Sequence, residues 1–358
     1  MLSLAVATPR IMSHLRVDLG RADVGFGPSC HLSDTAAMAN SLVPGFTEHL
    51  DHGITVVDTG FVRERFDASY LVAENGRGAF IDTGTNNAVP RLLTSLQERD
   101  LEPDQVDWVI LTHVHLDHAG GAGLLMQHLP NAKLVVHSRG VRHMIDPSAL
   151  LKGVRAVYGE EVTARDYGEL VPVPGDRVVS AGDGFALEVG GRQLTFADTP
   201  GHAMHHHCIW DERSQGWFTG DTFGLAYPDL ATPLGPHVVP SSTPVQFDPV
   251  ALHASVARLL AAKPRVMYPT HFGAVTDVAR LAEQLLRQAD SMVAAANELA
   301  SVPNRHERLR QAFREIYVNE LRRCGSTLDE ETIRSLLSTD IELNAQGMAV
   351  WLDRKAKA

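Results

Sequence analysis

Cysteine is scarce in this chain: three residues among 358, at positions 30, 208 and 324, with no Cys-x-x-Cys pair. So sparse and odd a count excludes a disulfide-stapled scaffold and fits a reducing, cytoplasmic setting. Basic charge is also in deficit. Lysine and arginine number 32 against 43 acidic residues, a formal net charge of -11, which disfavours a nucleic-acid partner. No apolar run approaches the roughly 18 residues that would cross a bilayer. Pro9 and Arg10 cut the mildly apolar stretch Met1 to Val6 short of a secretory core. There is no internal repeat and no low-complexity tract. What is present is ordinary globular composition, 44% hydrophobic and 21% charged, with 18 histidines as the surplus to explain. The balance predicts a soluble protein acting on a small-molecule substrate, with neither nucleic acid nor membrane as partner.

The chain divides by its grammar. Residues 1–53 have weak periodicity and read as an amino-terminal arm of undecided order, in which Met38 is an alternative start. Residues 54–275 alternate strand and helix signals. Ile54 to Val57 is a β-branched run, and Ser69 to Val72 and Ala79 to Asp82 flank the turn Glu74-Asn75-Gly76-Arg77-Gly78. Leu92, Leu93 and Leu96 give Val89 to Arg99 a helical spacing. Val106 to Leu111 is an apolar strand running into His113, and residues 139–170 read as a mostly helical insert. Further strands follow at Phe185 to Val189, Gln193 to Ala197, His207 to Trp210, Gly216 to Phe218 and Val266 to Tyr268. Residues 276–358 carry helix signals only, punctuated by Pro303 and Gly325. Their apolar stripe (Val278, Leu281, Leu285, Leu309, Phe313, Ile316) suits packing on the body, a lid or a homodimer interface.

The chemistry concentrates in Thr112-His113-Val114-His115-Leu116-Asp117-His118, at the end of a buried-type strand and the start of a helix. On a turn at a strand end alternate side chains project together, so His113 and His115 reach one point. Asp117 and His118 face a second. Imidazole and carboxylate suit zinc, and also iron or manganese. Three more candidates lie just past strand ends: His202 in Thr199-Pro200-Gly201-His202, Asp221 in Thr219-Gly220-Asp221, and His271 in Pro269-Thr270-His271.

In this order and context the motifs resemble those of the metallo-β-lactamase superfamily, over roughly residues 54–275. The resemblance implies an αββα sandwich with the site on one edge. It implies His113, His115 and His202 around a first metal, Asp117, His118 and His271 around a second, and Asp221 bridging them. The turn Asp82-Thr83-Gly84 would support the site. Asp221 stands where true zinc β-lactamases carry cysteine, and His118 adds a ligand they lack, so the chain resembles the glyoxalase II-like hydrolase branch more. The expected activity is a dinuclear metal-dependent hydrolase, with two divalent ions, zinc first and iron or manganese as alternatives. A metal-bridging hydroxide would attack a small ester, thioester or lactone, with Asp117 and Asp221 as catalytic residues. The alternative on the same fold is a mononuclear iron persulfide dioxygenase-like enzyme held by His113, His202 and Asp221.

Other residues have weaker signals. The loop Thr222 to Asp248 is rich in Pro and Gly and carries Phe223, Tyr227, His237 and Phe247 as candidates for the substrate pocket. Met144 and Tyr158 of the insert could form a second wall. His206 reads as a structural partner of the site, and His205 and His207 as bystanders. Cys208 reads as a small buried residue.

Overall fold

The computed structural model describes residues 45–242 and 245–357, less the side chains of Val157 and Tyr158. The expectations for residues 1–44, for Cys30 and for the Tyr158 side chain lie outside these residues. Two sheets carry the molecule. β1 (Thr47–His49), β2 (Ile54–Asp58), β3 (Ala68–Glu74), β4 (Arg77–Ile81), β5 (Val106–Ile110), β6 (Lys133–His137) and β7 (Val178–Ala181) bond in that order into one seven-stranded sheet. It is antiparallel from β1 to β4 and parallel from β4 to β7. β8 (Ala186–Val189), β9 (Arg192–Asp198), β10 (His207–Asp211), β11 (Gly216–Gly220) and β12 (Val266–Pro269) form the second sheet, in the order β12-β11-β10-β9-β8.

The helices are α1 (Val89–Gln97), α2 (Leu116–Ala119) and α3 (Ala122–His128), then α4 (Val141–Ile145), α5 (Ser148–Tyr158) and α6 (Glu160–Asp166) in the insert. α7 (Pro249–Ala261) precedes the last strand, and α8 (Val278–Glu298), α9 (Arg305–Arg323), α10 (Glu330–Leu336) and α11 (Ser338–Lys355) close the chain. No helix among the described residues is long and apolar enough to cross a membrane.

The period of two along each strand sorts side chains into layers. Val56, Tyr70, Ala79, Ile81 and Ile110 point between the sheets, where they meet Leu194, Phe196, Ile209 and Phe218. Their neighbours Val57, Leu71, Phe80 and Val109 point the other way, under Leu92, Leu96, Leu125 and Met126 of α1 and α3. Trp217, Cys208 and Met267 on the outer face of the second sheet share an apolar cluster with α7, α8, α9 and α11. The result is the αββα sandwich with carboxy-terminal helices. Burying one such Leu, Ile or Phe contributes about 1.5–3 kcal/mol, so each outer layer is strongly bound to its sheet.

Two details differ from the sequence reading. Thr47–His49, assigned to the arm, forms the edge strand β1 against β2, and β7 has no counterpart among the expected strands. Strands of three and four residues are too short to show an alternation of their own. The carboxy-terminal stripe packs on the body: Val278, Leu281, Leu285, Leu309 and Phe313 are buried in the shared cluster and Ile316 is packed against it.

Candidate metal centre

The functional side chains stand on loops at one edge of the sandwich. β5 delivers Thr112 and the histidine turn, β9 is followed by the Pro-Gly-His turn, β11 by Asp221 and β12 by Thr270 and His271. Local sequence makes these turns. Asp248 caps α7, accepting from the N–H groups of Val250 and Ala251 at 3.0 Å each, with Pro249 at the first helical position. The capped helix packs on the His202 turn so closely that a Cβ on Gly201 would lie 2.5 Å from Leu252 Cα. Gly220 has φ +48°, and a Cβ there would meet His206 Nε2 at 2.6 Å and Thr112 Oγ1 at 2.7 Å. Glycine is the residue that fits both places.

All seven motif residues come together. His113 Nε2 lies 2.8 Å from His115 Nδ1, which lies 3.0 Å from His202 Nε2. Asp117, His118 and His271 form a second group, and His113, His118 and Asp221 a third that links the two. Asp221 Oδ2 is 3.5 Å from His202 Nε2, while its Oδ1 is 3.2 Å from His118 Nε2 and 3.7 Å from His271 Nε2. Asp117 Oδ2 is 3.5 Å from His271 Nε2. Except for His115 and Asp117 these side chains are buried.

A surrounding shell fixes which ring nitrogen faces inward. His118 Nδ1 bonds Asp82 Oδ2 at 2.9 Å, His271 Nδ1 donates to Phe66 O at 2.8 Å, and His202 Nδ1 donates to Ser241 O at 3.3 Å. Each leaves Nε2 for the cluster. Asp82, wholly buried, also accepts from Thr112 N at 2.8 Å, Thr112 Oγ1 at 2.8 Å and Thr270 Oγ1 at 2.7 Å. Ser241 Oγ donates to Asp221 Oδ2 at 3.3 Å. His206 is buried with Nδ1 beside Thr199 Oγ1 and Thr222 Oγ1, and its Nε2 accepts from the Asp221 N–H at 3.3 Å.

The electrostatics follow from this crowding. Burial and the neighbouring imidazoles push His113 and His115 well below the ordinary histidine range. Burial also works against a charged His118, but Asp117, Asp221 and Asp82 outweigh it and hold that group well above the ordinary value. His271 is raised to about 9 on the same balance, with Asp221 and Asp117 overcoming burial. Burial opposes ionisation of Asp221, and His118, His202 and His271 overcome it, holding its carboxyl well below the usual range. His118 Nε2 and Asp221 Oδ1, although 3.2 Å apart, have no hydrogen-bond partner among the described residues. Neutral imidazoles with converging lone pairs, and carboxylates balanced by imidazolium protons, are a donor set that fits divalent cations.

The pocket candidates divide. The Tyr227 ring stands edge-on to His271, 6.2 Å between centres. Phe223 and Phe247 are buried in the cluster shared with the carboxy-terminal helices. His237 is buried too, its Nδ1 2.6 Å from Gln284 Nε2 of α8. These three pack the loop down onto the helices. Met144 lies in the core under the first sheet. His205, expected to be a bystander, is half-buried with its ring 5.5 Å from His115 and 6.1 Å from His113. Sequence reasoning did not single out Ser241, while Thr112 and Thr270 had a signal as motif neighbours.

Comparison with known proteins shows the family and the fold. A family profile described as the Metallo-beta-lactamase superfamily matches residues 62–295. The Metallo-beta-lactamase fold-containing protein ST1585 of Sulfurisphaera tokodaii is 27% identical over 227 residues, 61% of this chain and 77% of that protein. The human acyl-coenzyme A thioesterase MBLAC2 is 30% identical over 187 residues, 45% of this chain; the match spans 62% of the human protein's length. The crystal structure of the metallo-beta-lactamase family protein TTHA1429 from Thermus thermophilus superposes with a TM-score of 0.61 at 23% identity, covering 85% of this chain and 94% of that one.

Proposed function

Because this chain belongs to the metallo-β-lactamase superfamily, we propose that it is a metal-dependent hydrolase, with two divalent ions, zinc in the first instance, acting on a thioester. The observation that carries the reading is the convergence of seven His and Asp side chains from separate strand ends into linked groups. His113, His115 and His202 would hold one ion, Asp117, His118 and His271 the other, with Asp221 shared. Thioester is preferred over ester and lactone on the likeness to a relative named as an acyl-coenzyme A thioesterase.

Bound divalent ions supply Lewis acidity and bring water towards hydroxide at neutral pH. The residues do the rest. Asp82, Phe66 O and Ser241 O hold three rings in the productive tautomer. Asp221, anchored through its N–H by His206 and its Oδ2 by Ser241, keeps a carboxylate oxygen toward each group. Asp117 is 27% exposed, the most open carboxylate of the set, and is the group that would hold a proton from the attacking water and return it to the departing sulfur. The test is Asp221→Ala in protein purified without chelator. Metal per chain and thioester turnover should fall together, the latter by at least about 100-fold. Full metal with full turnover removes Asp221 from the role.

A further inference from the structure

Beside the second group, on the side of His271, lies a polar pair outside the seven motif residues. Arg63 follows β2. Its Nη1 bonds Asp229 Oδ2 at 2.7 Å, while its Nη2 is buried with no hydrogen-bond partner among the described residues. Its guanidinium carbon stands 4.8 Å from the centre of the Tyr227 ring and 5.3 Å from that of Phe66. Tyr227 stacks on Phe66 at 5.0 Å with 17° between planes, and Phe66 meets the His271 ring edge-on at 5.3 Å. On the other side of Tyr227, its hydroxyl donates to Asp340 Oδ1 at 3.1 Å. Asp340 comes from the first turn of α11 and is buried, and its Oδ2 has no partner among the described residues. Arg63 and Asp340 do not close on each other as an ion pair: among the described residues Arg63 pairs with Asp229.

A buried donor and a buried acceptor, both open, flank one aromatic ring that touches the site. Native proteins rarely leave such groups idle. A carboxylate ligand would be drawn to Arg63 and repelled by Asp340, and an ammonium ligand would meet the reverse. A neutral group that offers an acceptor and a donor together satisfies both, and the secondary amide does so with its C=O and N–H. Thiols of the coenzyme A type carry such an amide two carbons from the sulfur. Resting on the thioester reading above, we propose that Arg63, Tyr227 and Asp340 form a subsite for a secondary amide in the thiol half of the substrate, Arg63 Nη2 donating to the carbonyl and Asp340 Oδ2 accepting the N–H. The carboxy-terminal helix α11 thereby supplies a substrate-binding group to the site.

The experiment compares two thioesters on the zinc-loaded full chain: S-butanoyl-N-acetylcysteamine, and S-pentyl thiobutanoate, in which methylenes replace the amide. The quantity read is the ratio of their kcat/KM values within each protein, which is indifferent to how much of a variant is well folded. Wild type should favour the amide substrate at least tenfold, and R63Q and D340N should each cut that ratio at least fivefold. A wild-type ratio near one, or an unchanged ratio in both variants, overturns the subsite and leaves the hydrolase reading standing. Calorimetric binding of the uncleavable S-butyl-N-acetylcysteamine separates the two ideas. If neither thioester is cleaved, the thioester reading falls, yet thioether binding lost in R63Q and D340N keeps the subsite. Thioether binding equal in all three proteins overturns it.

Discussion

Replacing Asp82 by Asn tests the site without touching any candidate ligand. Asp82 sits at φ +55°, a conformation that Asn adopts as readily as Asp, so the backbone gains no new strain. The side chain keeps its size in a site with no exposure. What changes is donor and acceptor identity. The carboxylate accepts four bonds, from Thr112 N, Thr112 Oγ1, Thr270 Oγ1 and His118 Nδ1. The amide keeps one oxygen, which the Thr112 N–H requires. Its NH2 group then faces the hydroxyls and His118. The hydroxyls can rotate and accept. His118 can accept at Nδ1 only by moving its proton to Nε2, the nitrogen that lies 3.2 Å from Asp221 Oδ1. The nitrogen that would give its lone pair to a metal then keeps its N–H. Loss of such an outer-shell partner typically costs about 10–100-fold in metal affinity, or about 1.4–2.7 kcal/mol at roughly 1.36 kcal/mol per tenfold. The loss should fall on the Asp117–His118–His271 group and spare the three-histidine group. Competition against a chromophoric chelator, with metal per chain by mass spectrometry, should show two equivalents in wild type and a weakened second equivalent in D82N. Two equivalents held with unchanged affinity would refute the tautomer argument.

Three further outcomes follow from the same geometry. Gly220→Ala puts a methyl group at 2.6–2.7 Å from His206 and Thr112 at positive φ, and should lower the urea midpoint by the equivalent of about 1–3 kcal/mol; an unchanged midpoint would mean that the turn gives way freely. His207 is buried, its Nε2 2.7 Å from Leu111 O, and burial pushes its imidazole down to about 3. The unfolded chain therefore binds a proton near pH 6.5 that the folded chain refuses, so stability is full above about pH 6.5 and lost as pH falls towards about 3, at up to about 1.4 kcal/mol per pH unit. H207Q should flatten the slope of stability between about pH 4 and 6 by about one proton. Cys208 is buried with its thiol pushed up to about 12, so iodoacetamide at about pH 8 should leave its peptide unmodified until denaturant unfolds the chain; modification in the native state would place that strand edge in solvent.

The site was legible because its residues announce themselves locally. His113, His115, Asp117 and His118 lie within six positions, and His202, Asp221 and His271 each follow a strand and a short turn. Strand and helix periodicities were enough to place these loops on sheet ends and to separate the layers. What escaped notice depends on contacts between distant segments. Tyr227 and Asp340 are 113 residues apart, and nothing near Asp340 distinguishes it from the other acidic residues of the carboxy-terminal helices. Phe223 and His237 looked like pocket walls because their loop is rich in Pro and Gly. The partner that buries them, α8, announces a stripe and not a destination. The role of Asp82 was half visible: the turn was expected to support the site, but its link to Thr270 crosses between the sheets.

That crossing bears on how the protein is made. Each of the three candidate ligand groups draws residues from the turn after β5, in the first sheet, and a single residue from the second: His202, Asp221 or His271. A nascent chain that has built only the first sheet owns no complete group, however well that sheet has formed. If the groups hold metal, affinity appears only when the halves dock, and the ion then favours the docked state by RT ln(1 + [L]/Kd). An ion at about 100 times its dissociation constant adds about 2.7 kcal/mol, a sizeable share of what holds an ordinary domain together. Scarcity of metal in the cell would then be felt first as a shortage of mature protein, degraded before it could be counted as inactive enzyme.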